Sequence, residues 1–183
     1  MLKIFFLIFN FFIIGVTMPV AMDEIEGSIN FKTEHNSFLW RTECSVEINC
    51  GQDRIWQLWT DVENWRQWDH DVEYSSLEGS FRDDEKGILK PTQGPRSEFT
   101  MLDVKEQECF TTRSSLPLCT SMDFIHQMER VGTKLTVKHI VIISGALTPL
   151  FSRVIGKGVA RGLPSAMTRL ALLAEGRLPP QNK

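Results

Sequence analysis

The most constraining stretch of the chain is residues 119–144, where apolar and polar residues alternate on both sides of Val131-Gly132. Alternation with a period of two marks strands with one buried face. Val131-Gly132 is a natural two-residue turn between Arg130 and Thr133. In that register Met128 faces Leu135, His126 faces Val137, Phe124 faces His139 and Met122 faces Val141. All eight side chains then share one face. Asp123, Gln127, Glu129, Thr136 and Lys138 take the other. A slip of one residue would mix the two sets, so the pattern itself argues for the pairing. The result is a hairpin with one apolar face that carries two histidines, placed diagonally.

An apolar sheet face needs a cover. The C-terminal region supplies one. Leu150, Phe151, Val154, Ile155, Val159, Leu163, Met167, Leu170 and Leu173 or Ala174 recur at helical spacing. Thr148 is a fitting N-cap, and Pro149 suits the first helical position. Gly158, Gly162 and Ala166 add a small-residue strip that lets a helix approach a sheet closely. Pro164 is expected to kink or interrupt the helix. Arg153, Lys157, Arg161 and Arg169 form a basic stripe on the outer side.

The rest of the chain reads as further strands and two short helices. Ser37 to Ile48 alternates, with Phe38, Trp40, Thr42, Cys44, Val46 and Ile48 on one face. Asp53 can cap a short helix over Arg54–Thr60, and a second short helix or turn runs through Val62, Trp65 and Trp68. Strands are expected near Val72–Leu77, Gly87–Lys90, Ser97–Lys105, Cys109–Ser114, Cys119–Glu129 and Lys134–Ser144. The order predicts an α+β domain. A curved antiparallel sheet of about six to seven strands wraps a long C-terminal helix.

The first 21 residues differ from all this. They hold five of the twelve Phe and one charge, Lys3. A basic start and an apolar run from Ile4 to Val16 describe an export signal, which makes the chain periplasmic or secreted. Pro19 sits where a small residue is expected before cleavage at Ala21. Two alternatives stay open: a membrane anchor over residues 4–22, and a start at Met18 or Met22, which makes the protein cytoplasmic. The expected division is leader 1–21, polar arm 22–36, ligand-binding domain 37–176 and tail 177–183. Apolar residues are 42% and charged residues 23%, with a net charge of −3. That excludes a disordered chain, and the acidic balance argues against a nucleic-acid binder. The four Cys (44, 50, 109, 119) lack metal-type spacing. Buried free thiols are the expected state, with a Cys109–Cys119 bridge as the alternative.

At this point a resemblance applies. The segment ECSVEINCGQDRIWQLWTDVENWRQWDHDVEYSSLEG looks like the opening of the SRPBCC (START-like, helix-grip) superfamily. Its pattern is a strand, a short helix with W..(W/L)TD, then V..W..WD..V. GILKPTQGP, SLPLCTSMDFIHQMERVGTKLTVKHIVIISGAL and GKGVARGLPSAMTRLALLAE resemble a bacterial branch commonly labelled polyketide cyclase/dehydrase. The resemblance runs from Ser37 to Glu175. It implies a hydrophobic cavity between sheet and helix, and members range from lipid binders to cyclases. Fold alone does not choose among these.

The expected function is binding of a small hydrophobic or amphipathic ligand (lipid, polyketide or isoprenoid-like) in that cavity. The expected contacts are Trp40, Phe99, Met101, Met122, Phe124, His126, Val137, His139, Phe151 and Ile155. The alternative is a cofactor-independent cyclase, aromatase or dehydratase with His126 or His139 as acid–base. No cofactor and no metal are expected. A further alternative makes the arm or the basic stripe a contact surface for an envelope partner. The chain is expected to be a monomer or weak dimer, with membrane contact through its N-terminal segment. Asp69-His70-Asp71 looks catalytic but reads as a structural loop. Trp56–Trp59 and Trp65–Trp68, at helical spacing, read as anchors for the short helices. Gly156-Lys157-Gly158 lacks a nucleotide-binding context, and no nucleophile elbow or zinc signature occurs.

Overall fold

The computed structural model describes residues 28–178. The leader, its two alternatives, residues 22–27 of the arm and residues 179–183 of the tail lie outside the described residues. Eight strands form one antiparallel sheet: β1 (Asn30–His35), β2 (Leu39–Ile48), β3 (Val72–Leu77), β4 (Lys86–Pro91), β5 (Ser97–Lys105), β6 (Cys109–Leu116), β7 (Thr120–Val131) and β8 (Lys134–Ser144). Their order across the sheet is β1-β2-β8-β7-β6-β5-β4-β3. Helix α1 (Gln52–Thr60) and a 3-10 helix (Val62–Gln67) link β2 to β3. A closing helix follows β8 and lies over β2 and β8. It begins as an α-turn (Thr148–Phe151), passes through a π-segment (Ser152–Gly156) and continues as α-helix (Lys157–Ala174). We call these three parts together α2.

This is the α+β helix-grip arrangement, with one strand more than expected. The extra strand is β1. Residues 30–35 read as part of a polar arm, but they pair in register with β2, from Asn30 opposite Ser45 to His35 opposite Trp40. Every residue of β1 is exposed. An edge strand buries no side-chain face, so it leaves no hydrophobic period to read.

The hairpin differs from the expected register in one respect. Val131 pairs with Lys134, so the turn is Gly132-Thr133 and not Val131-Gly132. Gly132 has φ = 64°. A two-residue turn with glycine first fits this backbone, whereas the expected turn puts Val131 at the first central position. The shift leaves both faces unchanged. It moves every pair by one rung, so Met128 faces Val137, Phe124 faces Val141, and His126 faces His139 directly.

Other local expectations change as well. Gly51, not Asp53, is the N-cap of α1. Thr148 does not cap α2. Its hydroxyl lies 3.1 Å from the Phe38 carbonyl and 2.9 Å from that of Gly145, and it donates to them. The helix runs on through Pro164, and its irregular turn lies earlier, over the π-segment. There a Cβ on Gly156 would lie 3.0 Å from the Trp40 indole, so the helix backbone rests on that ring. All four cysteines are free, but only Cys44 is buried. Cys109 begins β6 and Cys119 lies past its end, so the strand itself holds them apart.

The end of the sheet is fixed by Gly145. Its φ is 123°, and an added Cβ would meet the Cys119 carbonyl at 2.2 Å. Its N–H donates to the Phe38 carbonyl at 3.2 Å. Gly145→Ala is expected to cost about 1–3 kcal/mol in backbone strain alone, and the clash adds to it. Chemical denaturation of the two chains checks this, and equal midpoints would refute it.

Candidate functional site

The site grows from one rung of the sheet. Strand pairing sets Cys44 beside His139, His139 beside His126, and His126 beside Phe110. All four side chains are buried on the face toward α1 and α2. The imidazoles meet with ring centroids 4.3 Å apart, and Phe110 stacks on His126 at 4.1 Å.

The tryptophans close over this rung. Trp59 lies 5.8 Å from His126 and 5.9 Å from His139, centroid to centroid. Trp68 lies 6.4 Å and 5.6 Å from the same two rings. Trp65 stacks on Phe99 at 5.8 Å and on His126 at 6.4 Å. Local folding explains the placement. The turn after β2 sends α1 back across the inner face; of the pair Trp56–Trp59 only Trp59 is fully buried, whereas Trp65 and Trp68 are both buried. Trp65 Nε1 donates to the Trp59 carbonyl at 2.8 Å, which ties the two short helices together.

Four nitrogens in this group have no hydrogen-bond partner: Trp59 Nε1, Trp68 Nε1, His126 Nδ1 and His139 Nε2. Buried polar atoms nearly always have partners. An indole nitrogen can only donate, and a neutral imidazole offers one donor and one acceptor. Both imidazoles are held neutral. Burial pushes His126 down to about 3, opposed in part by the Phe124 backbone. Burial and the neighbouring His126 put His139 well below its ordinary value. The Cys44 thiol is pushed up to about 12 by burial, so it stays protonated.

The expected ligand contacts fall into two groups. Phe99, Met101 and Val137 join the closed aromatic core around the two histidines. Trp40, Met122, Phe124 and Phe151 form a second cluster with Val141, Ile143, Val159 and Ala160. Ile155 is half-buried in the π-segment beside it. In this second cluster Met122, Phe124, Phe151, Val159 and Ala160 are only partly covered. Along β7 the inner face runs Met122, Phe124, His126, and along β8 it runs Ile143, Val141, His139. The half-open apolar cluster therefore leads directly to the histidine pair.

Trp59, Trp65 and Trp68 are site residues that the sequence reading left as helix anchors. They do anchor the helices, and the surface they anchor to is the histidine pair. The signal was available: short helices that follow directly on an alternating strand must cover its apolar face. Asp69-His70-Asp71 is apart from the pair. Burial raises the Asp69 carboxyl to about 6, and the Asp71 carboxylate packs against Gly162 of α2. A surface cleft of about 560 Å3 lined by Trp56, Thr60, Phe81, Arg82, Asp83, Val104 and Glu106 is separated from His126 by Phe110. Among the described residues no group of three or more His, Cys, Asp or Glu is arranged to hold a metal.

No protein-family model and no curated protein matches the sequence. Solved structures do. CalU16 from Micromonospora echinospora superposes with a TM-score of 0.58 and 11% identity, over 84% of this chain and 88% of that one. The di-domain ARO/CYC StfQ from the steffimycin biosynthetic pathway gives a TM-score of 0.62 at 8% identity, over 77% of this chain and 52% of that one. A START superfamily protein from Mycobacterium smegmatis gives 0.56 at 12% identity, over 73% and 98%. The chain therefore shares the helix-grip fold of these structures.

Proposed function

We propose that the chain binds a small amphipathic ligand, with its apolar part in the half-open cluster and a neutral oxygen-bearing head at the histidine pair. The observation that carries this is that the two touching imidazoles and the two indoles packed on them each hold a buried ring nitrogen without a partner, next to an apolar, partly covered cluster. Apolar contact supplies most of the affinity, about 25 cal/mol per Å2 before the costs of binding. The two indole N–H groups orient the head by donating to a carbonyl or hydroxyl oxygen.

The head is neutral because nothing in the group carries positive charge at neutral pH. A carboxylate buried there would lack a charged partner, which is expensive. The same low basicity weakens the alternative in which His126 or His139 moves protons. A base at about 3 is poorly matched to chemistry near pH 7.

Competition against Nile red on the delipidated chain tests the reading. 2-Tridecanone is expected to displace the dye and tridecanoate to do so far more weakly at neutral pH. Trp68→Phe is expected to weaken the ketone about fivefold, the equivalent of one hydrogen bond, and to leave tridecane unchanged. No saturable dye binding, or equal competition by ketone and carboxylate, would refute the proposal.

A further inference from the structure

The partly covered cluster between the sheet and α2 is bordered by exposed apolar side chains. Phe38 is 72% exposed, Leu118 69%, Leu150 52% and Val154 69%. They lie on three different segments that main-chain contacts hold together. The Gly145 N–H and the Thr148 hydroxyl both donate to the Phe38 carbonyl. The Gly145 backbone presses on that of Cys119, next to Leu118. The turn before β2, the turn before β7 and the first turns of α2 thus form one rim. Clustered apolar exposure of this kind marks a contact surface.

The charge at the rim has one sign. Arg153, Lys157 and Arg161 recur along the helix at fourfold spacing and are all exposed. From Gly145 to Ala174 there is no Asp or Glu, although the chain as a whole carries −3. Leu150, Arg153, Val154, Lys157 and Arg161 fall on one outward strip of the helix. The apolar side chains come from three separate segments of the chain. Such an arrangement suits a fluid surface that supplies both an apolar layer and negative charge, and suits a shaped protein partner poorly.

We propose that this rim seats on an anionic lipid bilayer. Phe38, Leu118, Leu150 and Val154 enter the acyl boundary, and Arg153, Lys157 and Arg161 face the lipid phosphates. The half-open cluster then opens toward the bilayer. The surface stands on exposure and charge, so it does not depend on the ligand proposed above.

Hydrogen–deuterium exchange of the full chain, with phosphatidylcholine vesicles containing or lacking phosphatidylglycerol, tests it by position. Slowed exchange is expected in residues 36–39, 117–119 and 148–157 with the anionic vesicles, fading at high salt. Arg153→Gln, Lys157→Gln and Arg161→Gln are each expected to weaken partitioning roughly fivefold. Protection confined to residues 1–27, equal protection by neutral vesicles, or a triple variant that partitions as before would overturn the proposal. So would a dimer that Val154→Asp dissolves in a chain that never binds vesicles.

Discussion

Lowering the pH from 7.5 to 5.0 is expected to destabilise the fold by more than about 2 kcal/mol, with the two buried histidines as the main cause. His126 stays neutral in the folded chain down to about 3 because burial disfavours its charge. In the unfolded chain an imidazole takes up a proton below about 6.5. The unfolded state therefore binds more protons below that pH, and stability falls as pH drops. For His126 the loss at pH 5 is about 2 kcal/mol. His139, also lowered by burial, acts in the same direction. Asp69 acts in the opposite one. Its raised value means that the folded state holds a proton that the unfolded state has released, so stability from this group falls as pH rises through about 4–6. Two imidazoles outweigh one carboxyl over this window. Urea unfolding at both pH values, in the wild type and in His126→Leu/His139→Leu, decides the matter. The double variant should lose the destabilisation at pH 5.0, leaving the opposite contribution of Asp69, and an unchanged dependence would sink the assignment.

The same neutrality explains how much of the site the sequence disclosed. Alternation in β7 and β8 was enough to put both histidines on the covered face, because that face is set by parity. It was not enough to make them neighbours. Whether His126 faces Val137 or His139 depends on the backbone of a single turn, and both registers bury the same side chains. Glycine's tolerance of positive φ settles it once the turn is seen with Gly132 first.

The fold was legible for a related reason. Strands β2, β5 and β8 and the long closing helix each carry a strong period, and strong periods survive tertiary context. Strand β1 carries none, since an edge strand with every residue exposed is specified by backbone pairing alone. The tryptophans lie between these cases. Their helical spacing was readable, but their partners across the sheet were not, because contacts between α1 and β7 or β8 have no local signature. What read as two separate features, a tryptophan block and a histidine pair, is one cluster.

Trp59 is where that unity should be most costly to break. Its side chain is fully buried and its ring lies against Phe110, His126, His139 and Trp56. Trp59→Ala removes the lid of the histidine pair and leaves a cavity, for an expected loss of about 3–5 kcal/mol. Trp59→Phe keeps a ring in place and should cost clearly less. The two variants also separate packing from electrostatics. If the indole is what keeps the imidazoles dry, then water reaching them in Trp59→Ala should bring His126 up toward its ordinary value, because the cause of its depression is burial. Imidazole proton resonances followed by NMR against pH report this directly, and Trp59→Phe should leave them unmoved near neutral pH. An alanine variant within about 1 kcal/mol of the wild type would sit at the low end for any core substitution. It would show that Trp59 does not hold the cluster together.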